Sequence, residues 1–130
     1  MILLVLILLI GCDVNDGRGE CLEEHYILSV EVGYSDDTNV LLDKFRVVNV
    51  NTREDLSLND GVPSIIDKMT GIYPIVDDSQ KEKFLHHSSV DVLFTGYIKD
   101  KEVCSRTFSI AADDCHVYLM KGDTELIIGK

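Results

Sequence analysis

The 130-residue sequence is poor in basic residues and has no long apolar run. Twelve lysines and arginines stand against 23 aspartates and glutamates, so the formal net charge is −11. This balance excludes a basic nucleic-acid-binding protein. A membrane-spanning helix needs about 20 apolar residues, and no run of that length exists, which excludes a polytopic membrane protein. The length corresponds to one domain and excludes a multidomain enzyme.

The motifs of common catalytic and metal sites are also missing. No CxxC pair or Cys/His spacing typical of a structural zinc site occurs in the sequence. Neither a glycine-rich phosphate loop, nor a serine nucleophile elbow, nor a zinc-protease motif is present. We therefore expect a non-enzymatic protein with no metal and no cofactor.

The apolar residues are concentrated at the start of the sequence. Residues 1–11 hold ten of them and no charged residue, and the run 2–10 has the length of a signal-peptide apolar region. Leu9-Ile10-Gly11-Cys12 resembles the bacterial lipobox. The resemblance implies that the leader is cut before Cys12 and that the Cys12 thiol carries diacylglycerol. No lysine or arginine precedes the apolar run, which departs from the usual signal pattern.

The lipobox resemblance predicts three parts: a signal peptide at 1–11, a lipidated tether at 12–20 and a folded domain at 21–130. Acylated Cys12 anchors such a chain to the lipid bilayer, since two or three acyl chains hold firmly where one does not. The expected location is the bacterial cell envelope, facing the periplasm. Asp13 follows Cys12, and this resembles lipoproteins that enteric bacteria keep in the inner membrane.

If Cys12 is lipidated, three cysteines remain for one disulfide and one free thiol, and the spacing alone does not determine the pair. A simple hairpin would place Cys104 opposite a residue near Lys121 rather than opposite Cys115. Cys21 precedes the first predicted strand and Cys115 precedes the last stretch of β structure. If those strands are parallel neighbours, the two thiols meet, which favours a Cys21–Cys115 disulfide. Cys104 is then expected to be a buried free thiol.

Alternation of apolar and polar residues indicates a mostly β domain. One or two helical turns are predicted at 62–69, and Pro74 makes 72–76 an edge strand because proline cannot donate to a central ladder. Strands are predicted at 25–32, 45–50, 72–76, 90–98, 103–110, 116–120 and 124–128. Short strands joined by polar turns favour a single antiparallel, all-β sandwich of about seven strands, transthyretin-like or immunoglobulin-like.

Two short motifs add a family resemblance over about residues 21–128. Gly96-Tyr97 at the end of a strand and Cys115-His116-Val117 at the start of another, with Cys21 before the first strand, resemble the carboxypeptidase regulatory-like domain of small bacterial lipoproteins. The resemblance implies a transthyretin-like sandwich, supports the Cys21–Cys115 pair and transfers no catalytic residue. Residues 52–88 depart from the family pattern.

The histidines are weak candidates for chemistry. His86 and His87 are adjacent, so in an extended chain they point to opposite faces and do not readily bind one metal ion. His116 follows Cys115 and suggests a base beside a nucleophilic thiol, but no third group or oxyanion hole is evident. We expect both to be structural or solvated.

Three pairs of adjacent aspartates are the other candidates. Calcium sites need several oxygen ligands at loop spacing with a glycine for the turn. The three pairs do not match that spacing, and we expect them to form acidic turns. They are Asp36-Asp37, Asp77-Asp78 and Asp113-Asp114.

The charge and the leader together predict a membrane-anchored, non-catalytic envelope lipoprotein with a structural or binding role. The negative charge also suits a cationic protein partner. An alternative is an acidic periplasmic inhibitor of a cationic lytic enzyme. A further alternative, less favoured, is a thiol-dependent enzyme that uses Cys104 or His116.

Overall fold

A computed structural model describes Cys21 and residues 24–129. The helix α1 spans Ile65–Thr70. The strands are β1 (Ile27–Tyr34), β2 (Lys44–Asn49), β3 (Ile72–Asp77), β4 (Val90–Ile98), β5 (Lys101–Ala112), β6 (Val117–Lys121) and β7 (Glu125–Ile128). Within the described part of the chain, no helix is both long and apolar enough to span a membrane. The predicted signal peptide, tether and Cys12 lie outside the described residues.

The seven strands form two sheets, which confirms the predicted all-β sandwich. One sheet has the order β3-β1-β7 and the other β2-β4-β5-β6. β1 and β7 are parallel, whereas the other pairs are antiparallel. The parallel pair arises because the chain leaves β6 through Gly122, crosses to the other sheet and runs alongside β1 in the same direction.

Alternation along the strands places one face of each sheet in a common core. In β4, Val90, Val92 and Phe94 are buried as predicted, while Leu93 between them is exposed. The largest fully buried side chains are Tyr73, Phe45, Phe84, Phe94 and Phe108. Burial of such side chains contributes about 1.5–3 kcal/mol each, so this cluster is the main source of stability.

Tyr73 also brings a polar group into the core. Its Oη donates to the carbonyl of Val40 at 2.6 Å and accepts from the Leu42 N–H at 2.9 Å. Both backbone groups belong to the connection between β1 and β2. The hydrogen bonds satisfy the buried hydroxyl and fix that connection against β3, which is an edge strand as Pro74 predicted.

The segment between β2 and β4 holds the helical turns of the domain. Ser64 and Asp67 form a reciprocal capping box that begins α1, and Gly71 ends it in the left-handed conformation. The helix therefore begins and ends slightly later than predicted. A single turn at Leu58–Gly61 contains Asn59 and Asp60 with positive φ, and a short 3-10 helix spans Asp78–Lys83.

We predict that Gly61→Ala destabilises the domain by about 3 kcal/mol. Gly61 is buried with φ +77°, and an added Cβ would overlap the carbonyl oxygen of Phe45. Urea unfolding of the variant measures the loss. Gly129→Ala is the control because a Cβ there has no neighbour within 4 Å. Equal stability of both variants and the parent would contradict this account.

Candidate functional site

A disulfide joins Cys21 to Cys115, with the two Cα atoms 5.3 Å apart. The favoured pairing is therefore present, but the geometric reason for it was partly wrong. The strand parallel to β1 is β7, whereas Cys115 precedes β6 in the other sheet. The disulfide thus links the segment before β1, a strand of the three-stranded sheet, to the segment before β6, a strand of the four-stranded sheet. Closing a loop of 94 residues stabilises the fold by about 4.7 kcal/mol in the chain-entropy model.

The Asp78 carboxylate lies beside this disulfide and accepts three hydrogen bonds. One oxygen accepts from the Tyr26 N–H at 2.8 Å and contacts His116 Nδ1 at 2.6 Å, and the other accepts from the Val117 N–H at 2.8 Å. Burial raises the pKa of Asp78, but these hydrogen bonds outweigh it and hold the pKa below 3.8. Asp78 therefore ties the entry to β1 to the start of β6.

His116 is packed rather than poised for catalysis. Its ring stacks on Tyr26 with centroids 3.7 Å apart and planes 9° apart, and its side chain is 13% exposed. The Nε2 atom is buried and has no hydrogen-bond partner among the described residues. The neighbouring Cys115 sulfur is bonded to Cys21. The pair of Asp78 and His116 therefore has no thiol nucleophile beside it.

Two more aspartates complete the cluster. Asp77 Oδ2 lies 3.0 Å from His25 Nε2, and the Asp113 carboxylate accepts from the N–H groups of Cys115 and His116. The hydrogen bond that His25 donates to the Asp77 carboxylate raises the pKa of His25 above 6.5. We call the whole cluster the N-terminal clasp; it comprises Cys21, His25, Tyr26, Asp77, Asp78, Asp113, Cys115 and His116.

Among the described cysteines, Cys104 is free and is buried, as expected. Burial raises the pKa of its thiol. A protonated, inaccessible thiol is a poor nucleophile, since the thiolate is the reactive form. Cys104 lies opposite Gly96 in the β4–β5 pair, where it packs as a small apolar core residue. This buried position argues against an enzyme mechanism that depends on Cys104.

The remaining candidate residues are turn and surface residues. His86 and His87 are exposed in a turn after the 3-10 helix. Asp36 accepts hydrogen bonds from Thr38 within the β1–β2 connection. Asp77 caps the 3-10 helix at Asp78–Lys83. No group of three or more metal-ligating side chains occurs in the part of the chain that the structure describes.

A groove on the outer face of the four-stranded sheet is the second candidate site. Its volume is about 410 Å³. Apolar side chains form its floor, and Arg46 and Arg53 flank it, with Glu102 at the β5 end. The floor includes Val48, Val50, Leu93 and Tyr97. Leu93 and Val50 are 37% and 43% exposed, so the groove presents apolar surface to solvent.

Of the two arginines beside the groove, one forms an ion pair within the domain and the other is available to a ligand. Arg46 pairs with Asp55 at 3.3 Å, and Lys44 lies 5.6 Å over the Tyr97 ring. Arg53 has no ion-pair partner among the described residues. A groove with an apolar floor and an unpaired guanidinium suits a ligand with apolar side chains and a carboxylate.

The sequence analysis named the clasp aspartates but predicted only acidic turns for them, and it did not identify the groove. Asp77 and Gln80 form a capping box, a spacing that is recognisable in sequence as D-x-x-Q. The contact of Asp78 with Tyr26 and Val117 has no comparable signal, because it joins segments 52 and 39 residues apart. Comparison with protein-family models, curated proteins and solved structures found no match.

We predict that the stabilising effect of His25 depends on pH. Its raised folded pKa means that the contribution is complete below the unfolded value of 6.5 and is lost as the pH rises through the folded value. Asp77, whose folded pKa lies below 3.8, loses its contribution as the pH falls through that lower value. The difference in unfolding free energy between the parent and His25→Gln should therefore be greatest between these limits.

Urea unfolding at a series of pH values measures this difference. The control is the same substitution in an Asp77→Asn background, where the pH dependence of the His25 effect should disappear. A difference that is constant from acid to alkaline pH would contradict an ion pair between His25 and Asp77.

Proposed function

We propose that the protein is a lipid-anchored, non-catalytic protein of the bacterial cell envelope. The observation that carries the proposal is the Cys21–Cys115 disulfide, which fastens the chain nine residues after the lipobox cysteine. Structural disulfides are typical of oxidising compartments such as the periplasm. A folded domain that begins in a cross-linked segment is suited to being held at its N-terminal end by a membrane anchor.

The clasp supports a mechanical role for that end of the domain. A tether pulls on the chain at Cys21, and the disulfide passes the load to Cys115, in the connection before β6, rather than to the hydrogen bonds of β1. Asp78 adds noncovalent links at Tyr26 and Val117. This arrangement keeps β1 paired with β3 and β7 while the N-terminal side is attached to a bilayer.

The same geometry supports a non-catalytic protein. The three thiol and histidine candidates have structural surroundings: Cys115 is in the disulfide, Cys104 is buried, and His116 is stacked on Tyr26. A thiol-dependent mechanism needs an accessible thiolate next to a base. A structural or binding role is the better fit to these residues.

We predict that Cys12→Ser abolishes lipid attachment and leaves the leader uncut. The lipidation reaction needs the thiol, which serine does not provide. Metabolic labelling with a radioactive fatty acid and the mass of the N-terminal peptide measure both effects. Cys104→Ser is the matched control, because it removes another cysteine outside the disulfide and should retain the lipid. Unchanged labelling and mobility of Cys12→Ser would contradict the anchor.

The groove favours a second, more specific role, the binding of an extended peptide that carries apolar and acidic side chains. Arg53 supplies a guanidinium for a carboxylate, and Leu93 and Tyr97 supply apolar contact. The groove does not suit a cationic partner, so a partner attracted by the net charge of −11 would contact other surfaces.

We predict that a fluorescent peptide of alternating leucine and glutamate binds the full-length protein and that Arg53→Glu weakens this binding about tenfold. Fluorescence anisotropy measures the affinity. Lys121→Glu is the control, because it makes the same change of charge on β6 outside the groove and should leave the affinity unchanged. Equal effects of the two substitutions would show that net charge, rather than the groove, determines binding.

A further inference from the structure

The helix α1 presents its apolar side chains to solvent. Ile65, Ile66 and Met69 are 78%, 69% and 72% exposed, and none of the helix residues is buried. A helix on a soluble domain ordinarily turns its apolar stripe toward the core. These three apolar side chains are more exposed than those of the groove on the four-stranded sheet, where Leu93 is 37% exposed.

The exposed side of α1 continues onto the outer face of the three-stranded sheet. A second groove of about 430 Å³ lies there, lined by Ile27, Ile66, Ile72 and Pro74 among others. Ile27 and Ile72 are 54% and 43% exposed. We call this surface the apolar face; it comprises Ile27, Ile65, Ile66, Met69 and Ile72.

Acidic side chains border the apolar face: Glu31 is paired with Ile72 on the same outward side of the sheet, and Asp67 lines the groove. Asp67 is occupied in the capping box of α1, where it accepts from the Ser64 N–H at 3.0 Å. Contiguous apolar surface of this kind marks a contact with a membrane or a protein.

We propose that the apolar face contacts the bilayer to which Cys12 is attached, at the boundary between headgroups and acyl chains. This inference rests on the proposed lipid anchor. Eight residues lie between Cys12 and Cys21, so the anchor lies at most about 30 Å from the clasp. Ile27, the first residue of the apolar face, follows Cys21 by six residues.

Because the connection to the anchor is short, a weak contact between the apolar face and the bilayer is sufficient to orient the domain. A tethered domain meets the membrane at a high effective concentration, so a few apolar side chains are enough to orient it. The disulfide fixes Cys21 to the domain, so the connection between Cys12 and the domain cannot become longer by detachment of the segment that precedes β1. The acidic border, and the lack of a basic residue among the five that form the face, favour zwitterionic over anionic lipid.

The orientation is tested with the full-length, membrane-extracted protein in vesicles of phosphatidylcholine and phosphatidylethanolamine. Met69→Cys and, separately, Met120→Cys receive an environment-sensitive fluorophore; the native Cys104 is buried. Met120 is the matched control, because it is 56% exposed and lies on β6 of the other sheet. The Met69 probe should shift to shorter wavelength and lose most of its accessibility to a soluble quencher, whereas the Met120 probe should do neither. Ile65→Cys should behave like Met69→Cys.

Each other outcome overturns the inference in a recognisable way. Equal accessibility of the Met69 and Met120 probes, on protein whose Cys12 peptide carries diacylglycerol, rejects the membrane contact and leaves the anchor intact. Absence of lipid from that peptide rejects the anchor and the inference together. Shielding of the Met69 probe in detergent that grows with protein concentration assigns the apolar face to a second copy of the chain.

Discussion

The arrangement of the N-terminal end depends on one partly buried carboxylate. Asp78 follows directly after β3, and its two oxygens accept from the backbone before β1, the first residue of β6 and the His116 ring. Hydrogen bonds to a charged group are stronger than neutral ones, and the loss of such an acceptor leaves its donors unsatisfied. This carboxylate therefore holds three segments of the chain at the position where the Cys21–Cys115 disulfide can form.

The two sheets of the domain expose two different outer surfaces. The three-stranded sheet, with α1, presents an apolar face next to the point where the chain enters. The four-stranded sheet presents the groove between Arg46 and Arg53 on the opposite side. If the first surface lies on the bilayer, the second is directed away from it, which is where a binding groove is accessible to a partner. Membrane attachment and binding then use different layers of the same sandwich.

Local patterns were sufficient to predict most of the fold. Alternation placed Val92 and Phe94 in the core, and the position of Pro74 placed β3 at an edge. Contacts between distant segments were harder to predict. The Cys21–Cys115 pair was favoured on the assumption that the strands following the two cysteines are neighbours, whereas these strands belong to different sheets. The roles of Asp78 and α1 were not predicted, because they depend on contacts between distant segments and on which side of a helix remains uncovered.

The unfolding free energy of Asp78→Ala in the oxidised protein tests the central claim most directly. Asp114→Ala is the control, because Asp114 is an exposed acid in the neighbouring turn. The account predicts that Asp78→Ala loses about 3 kcal/mol, since it leaves the N–H groups of Tyr26 and Val117 without their acceptor, and that Asp114→Ala loses little. Equal unfolding free energies for the two variants would contradict the claim that the Asp78 carboxylate holds the clasp together.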